Sequence, residues 1–313
     1  MMLTTQEIYP SIFSQQIIYA LTSINTNTIA CGSNTGSITI ISFTPNNSNN
    51  TSSFEIISQL QNAHGEYHAI FSLLSITTPL SEIKLISCGE DSKIKIWHLT
   101  NTFQFINNDT INYHDLLVTQ IIYINKTTFP LFCSVNFEEV ILWETTSPYK
   151  CIHKIFNEEL TPYKVSYIKS NDTIVICDLN KKCVMFWEIE IKMVVSVLGN
   201  IAKVVDIIEL KNDKLVIGER EGLYLIDCKK LIILRRLNIS KMGIEVLCVR
   251  MFSNNKIVFG SCKGVCIVDD CLQNVGMLEE KLGIINDLIV INRGYLFECV
   301  YSGDYGLFYL YSK

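Results

Sequence analysis

"LISCGEDSKIKIWHL", residues 85–99, decides the fold. An apolar run ends at Cys88 and Gly89, and a short polar turn follows from Glu90 to Lys93. Alternating residues then lead from Ile94 to Trp97. An apolar strand, a tight turn and an alternating strand together make a β-hairpin with one face buried. A single such hairpin would say little. Its recurrence along the chain would set the whole architecture.

It does recur. "TIACGSNTGSITIIS", "LISCGEDSKIKIWH", "LFCSVNFEEVILWE", "VICDLNKKCVMFWE", "LVIGEREGLYLID", "IVFGSCKGVCIVD" and "CVYSGDYGLFYLY" share the pattern. They end at Ser42, His98, Glu144, Glu188, Asp227, Asp269 and Tyr311, at intervals of 56, 46, 44, 39, 42 and 42 residues. Such a period belongs to four-stranded units repeated as blades. The expected fold is therefore all-β: one domain over residues 1–313, a single seven-bladed β-propeller of four-stranded antiparallel blades. The last unit stops at "FYLYSK", after its third strand, and "LTTQEIYP" (3–10) precedes the first unit. This N-terminal segment is expected to pair with the last blade, which protects strand edges that would otherwise lie open.

The period and the second unit resemble the WD-repeat β-propeller family. The resemblance spans essentially the whole chain by its period, but the motif is complete only in the second unit. There His64, Ser87, Asp91 and Trp97 match the family's hydrogen-bonded set. The resemblance implies that the histidine bonds the turn aspartate, and that the serine links the histidine to the indole N–H. Other units depart from the motif. The third keeps His114 and Trp143 but has Phe137 in place of the aspartate, and the fourth keeps Trp187 and has Lys181 there.

Composition narrows the function classes. The chain has 313 residues, 48% apolar and 18% charged, with a net charge of −5. Its longest basic runs are two residues, which argues against a nucleic-acid surface. The most apolar stretch, "MVVSVLGNIAKVVDIIEL" (193–210), is broken by Asn200, Lys203, Asp206 and Glu209, so no membrane span is expected. The start lacks a basic region before an apolar one, so no secretory signal is expected. Twelve cysteines then point to free thiols in a reducing compartment, cytoplasmic or nuclear.

Cys31, Cys88, Cys133 and Cys177 fall at one repeat position in this alignment, which later units fill with Ile217, Phe259 and Tyr301. A position shared by cysteine and large apolar residues is a packing position. "TPNNSNNTSS" (44–53) lengthens the first unit and is expected to be a disordered loop. No phosphate loop, nucleophile elbow or metalloprotease helix occurs. No cofactor, metal or catalytic residue is assigned. The turn residues Asn34, Glu90, Asn136, Asn180, Arg220, Lys263 and Asp304 are mixed in type and make no metal cage.

The expected function is a non-catalytic scaffold that binds a peptide or partner protein on the turns and leading loops, as a subunit of a larger complex. Tyr67, Phe137, Tyr163, Arg220 and Tyr305 are the candidate contacts, since aromatics and arginine dominate binding hot spots. The alternative is a propeller hydrolase or lactonase, with Glu90, Asn136, Asn180 and Asp304 converging at a channel mouth. Self-association is not expected.

Overall fold

The computed structural model describes residues 3–8, 16–46, 51–78, 81–125, 130–156, 158–201, 203–252, 256–280, 283–292, 297–303 and 306–312. β1 (Leu3–Ile8) opens the chain. The first blade is β2 (Ile18–Asn25), β3 (Thr28–Ser33), β4 (Ile38–Asn46) and β5 (Thr51–Leu60). The second is β6 (Ile70–Thr77), β7 (Ile83–Gly89), β8 (Ile94–Leu99) and β9 (Phe105–Ile111). The third is β10 (Gln120–Ile124), β11 (Leu131–Val135), β12 (Glu139–Glu144) and β13 (Cys151–Phe156). The fourth is β14 (Pro162–Ile168), β15 (Thr173–Asp178), β16 (Cys183–Glu188) and β17 (Met193–Gly199). The fifth is β18 (Val204–Leu210), β19 (Lys214–Glu219), β20 (Gly222–Asp227) and β21 (Ile232–Asn238). The sixth is β22 (Val246–Phe252), β23 (Lys256–Ser261), β24 (Gly264–Asp269) and β25 (Gly276–Glu280). β26 (Ile285–Asn292), β27 (Phe297–Gly303) and β28 (Gly306–Ser312) complete the chain.

The expectation of a single seven-bladed propeller is corrected here. Among the described residues, six blades, not seven, are continuous runs of four strands. The three strands that end the chain do not make a blade alone. As expected of the N-terminal segment, β1 joins them in a four-stranded sheet, in the order β1-β28-β27-β26. β1 runs antiparallel to β28, with Leu3 opposite Ser312 and Ile8 opposite Leu307. The physical reason is chain order: a terminal unit that lacks its outer strand is completed by a segment from the other end, which covers an edge. The strands group into two compact units, residues 1–118 with 281–313, and residues 119–280. Among the described residues no helix is long and apolar enough to cross a membrane.

Burial follows strand position. The second strands β3, β11 and β15 are buried at every residue; for β3 and β15, neighbouring blades of the same compact unit cover both faces. Outer strands such as β17 and β21 are exposed at most positions. Apolar clusters fill the spaces between blades. In the first unit, Ala30, Ile40, Ile70, Leu85 and Trp97 join the first and second blades. In the second unit, Cys133, Leu142, Val165 and Trp187 join the third and fourth. Leu223, Val249, Phe259 and Cys266 join the fifth and sixth.

Two further expectations are corrected by strand pairing. Gly32 lies opposite Ala20, whereas Cys88 lies opposite Ser72 and Cys177 opposite Lys164, each just past a bulge in the first strand. Cys88 and Cys177 therefore match Gly32, and Cys31 belongs one residue earlier. All four cysteines remain buried. Burial pushes the thiols of Cys31, Cys133 and Cys177 well above their usual range, which leaves them poor nucleophiles. Of the expected loop at 44–53, residues 47–50 lie outside the described residues, and the described residues on either side are strand. Thr44 pairs with Ser53, Pro45 with Ser52 and Asn46 with Thr51, so the insert lengthens a hairpin.

A side-chain latch recurs on the first strands. Asp206 Oδ2 accepts the Val249 amide of the next blade at 2.9 Å, while its Oδ1 accepts the Ile207 amide at 3.0 Å. Asp287 does the same, with the Leu21 amide at 2.8 Å and the Leu288 amide at 2.8 Å. Gln120 Oε1 accepts the Val165 amide at 2.8 Å. The bonds to Val249, Leu21 and Val165 each tie one blade to the backbone of its neighbour within the same compact unit.

Candidate functional site

The turn between second and third strands and the loop leading into the first strand lie at the same end of each blade. Backbone bonds join them repeatedly. Asn34 donates its amide to the Ile17 carbonyl, Glu90 to Ala69, Leu179 to Thr161, Arg220 to Lys203 and Cys262 to Glu245.

The second blade fixes its leading loop most heavily. His64 Nδ1 stands 2.7 Å from Asp91 Oδ1, and His64 Nε2 stands 2.7 Å from Ser87 Oγ. Trp97 Nε1 donates to the same Ser87 Oγ at 2.8 Å. A proton on His64 Nδ1 satisfies the whole set: the indole donates to the serine, the serine to Nε2, and Nδ1 to the carboxylate. The Lys95 ammonium also donates to the Ala63 carbonyl. From the preceding blade, the Gly36 carbonyl accepts the His64 amide at 3.2 Å. Gly36 has φ 72°, and a Cβ there would lie 2.4 Å from the Gly65 carbonyl oxygen, so this approach requires glycine.

Burial alone would raise the Asp91 carboxyl. The hydrogen bond from His64, the Lys93 amide and the Lys95 ammonium outweigh it and hold that carboxyl below its usual range. A carboxyl depressed in the folded state adds stability above its unfolded pKa, about 3.9, and loses it as pH falls through the lower folded value. The urea midpoints of wild type and Asp91→Asn should therefore differ by a constant amount above about pH 5 and converge below about pH 4. A difference that is independent of pH down to acid unfolding would contradict this assignment.

This locked loop presents Tyr67. It is 82% exposed and adopts φ 64°, a left-handed conformation that is uncommon for a bulky residue. The neighbouring loop over 112–118 reaches the same turn, since the Val118 amide donates to the Gly89 carbonyl at 3.0 Å. It exposes Tyr113 and Leu116. Glu66, Glu90 and Asp115 are exposed on the same three segments, against one exposed lysine, Lys93. The Glu90 carboxylate also accepts the Ala69 amide at 3.2 Å. The result is an aromatic, acidic surface on a rigid frame. Sequence reasoning found Tyr67 but missed Tyr113, Leu116 and the acidic rim. The charge of segments 61–69, 90–93 and 112–118, taken together, was the available signal.

The other candidates separate. Phe137 and Tyr163 stack on each other, with ring centroids 5.9 Å apart and planes at 17°. Both are half-buried, with the Lys164 ammonium 5.9 Å from the Tyr163 ring centroid. Arg220 pairs instead with Glu245 at 3.5 Å. Tyr305 and Asp304 lie outside the described residues.

Of the residues proposed for catalysis, Asn136 and Asn180 are engaged by their own blade, as is the turn residue Asn34 of the first. Asn34 Oδ1 accepts the Ile17 amide at 2.9 Å, and Asn136 Oδ1 accepts the Glu138 and Glu139 amides at 2.9 and 2.8 Å. Asn180 Nδ2 donates to Thr161 Oγ1 at 2.6 Å. Among the described residues, no group of three or more histidine, cysteine, aspartate or glutamate side chains is placed to hold a metal ion.

No protein-family model matches the chain, and no curated protein sequence matches it. Solved structures do match. The WD40 β-propeller domain of Doa1 aligns with a TM-score of 0.72 at 14% identity, over 96% of this chain and 94% of that one. Sqt1 of Saccharomyces cerevisiae aligns with a TM-score of 0.70 at 10% identity, over 99% of this chain and 97% of that one. At such identities the likeness speaks for the fold, and the fold of this chain is that of the WD40 β-propellers.

Proposed function

We propose that the protein is an interaction scaffold whose partner docks on the second blade's leading loop, around Tyr67. One observation carries this reading. A tyrosine is held almost fully in water, in a left-handed conformation, by a loop that is bonded to two blades. An exposed aromatic on a prepaid, rigid frame binds with little further ordering cost. Glu66, Glu90 and Asp115 around it favour a partner segment that carries lysine or arginine. The WD40 fold of the matched structures is compatible with such a role.

Tyr67→Ala separates binding from folding, because so exposed a side chain contributes little to the core. In tagged protein recovered from its native cells, a stoichiometric partner should be retained by wild type. It should be weakened about tenfold or more by Tyr67→Ala and by Glu66→Lys with Asp115→Lys. The thermal midpoint of the alanine variant should match wild type. Full retention of the partner by both variants would overturn the placement.

A further inference from the structure

The outer strand β17 differs from its counterparts. It ends its sheet, in the order β14-β15-β16-β17, and among the described residues no strand pairs with its far edge. Its sequence, "MVVSVLG", has no charged residue. Every other outer strand has at least one: Glu55 in β5, Asp109 in β9, Lys154 in β13, Arg235 and Arg236 in β21, Glu279 and Glu280 in β25, and Glu7 in β1. Charges on an edge are the ordinary protection against pairing with another chain. β17 also exposes apolar bulk. Met193, Val194, Val195, Val197 and the preceding Ile191 are between 43 and 62% exposed. A bulge at Val195 interrupts its pairing with β16, but the same bulge recurs at Ile57, Ile106, Ile152, Leu234 and Leu278 in the other five blades. The bulge is a shared feature of the fold. The missing charge is particular to β17.

We propose that β17 is a self-association edge, which pairs antiparallel with β17 of a second copy across a two-fold axis. Two-fold pairing sets a strand against itself, so a charge near the axis meets its own like charge directly or diagonally. β21 would bring Arg235 and Arg236 against their own copies. β17 brings none. In the register centred on Ser196, Val195 faces Val197 of the second copy, Val194 faces Leu198, and Met193 faces Gly199. Lys192 then faces Asn200 and not a second lysine. Each copy offers one such edge, so pairing closes at two and does not run on into a fibre. This differs from the expectation drawn from sequence, which foresaw no self-association.

The test is the solution mass of the full chain by light scattering during gel filtration. Wild type should elute at twice the 35.7 kDa chain mass at micromolar concentration. Val195→Lys with Val197→Lys should halve that mass. The melting curve should keep its cooperativity, because both valines are already exposed. Tyr67→Ala should remain a dimer. A monomeric wild type, a larger open-ended species, or a dimer that survives both lysines would each overturn the proposal.

Discussion

Ser87→Ala is expected to destabilise the protein by about 2–4 kcal/mol. The side chain is fully buried and serves two partners with one hydroxyl. Its removal strands the Trp97 indole N–H and His64 Nε2 in a dry space. Each unsatisfied buried polar group costs about 1–3 kcal/mol. Urea unfolding measures the loss. Ser87→Thr is the control, since it keeps a hydroxyl and adds one methyl group. A loss under about 0.5 kcal/mol for the alanine variant would mean that the network does not hold the loop. Tyr67 would then sit on a looser frame, and the case for its role would weaken with it.

The second large effect concerns the latch between the fifth and sixth blades. Asp206→Ala removes the acceptor of the Val249 amide and the partner of the Arg250 guanidinium. Asp206 is largely buried and Arg250 about one-third exposed, so solvent screens part of that ion pair. The expected cost is about 2–3 kcal/mol, less than for a fully buried pair. Asp206→Asn keeps an oxygen for the Val249 amide and should recover about half of the loss. Equal losses for Asn and Ala would show that charge dominates. No loss for either would show that apolar packing between these blades, around Phe259 and Val249, carries the junction alone.

Much of the fold was legible because a tight turn between two apolar strands is a local signal, and seven repetitions reinforce it. The hydrogen-bonded set of the second blade was legible for the same reason, since all four residue types are distinctive. The cysteine alignment slipped by one residue although the turns are equal in length: five residues separate the paired Gly32 and Ile38, and five separate Cys88 and Ile94. The shared Cys-Gly pair at 31–32 and 88–89 masks the strand register. The insert at 44–53 was read as a loop from its asparagines and serines. Backbone pairing does not depend on those side chains, and Thr44 and Thr51 suit a strand. The latches went unread because Asp206 and Asp287 look like interruptions in apolar strands. Only the neighbouring blade shows that each accepts a backbone amide. The candidate surface was legible at Tyr67 alone, since its other members come from separate loops that the fold brings together.

The most direct test of the scaffold reading is photo-crosslinking in native cells, with Tyr67 replaced by benzoylphenylalanine. Asn108, exposed on the outer strand β9, takes the same replacement as a control. The account predicts one discrete adduct of defined mass from position 67 and none of that mass from position 108. It also predicts that Glu66→Lys with Asp115→Lys in the same chain removes the adduct. No adduct at position 67, or the same adduct from both positions, would contradict the claim that this loop is where a partner binds.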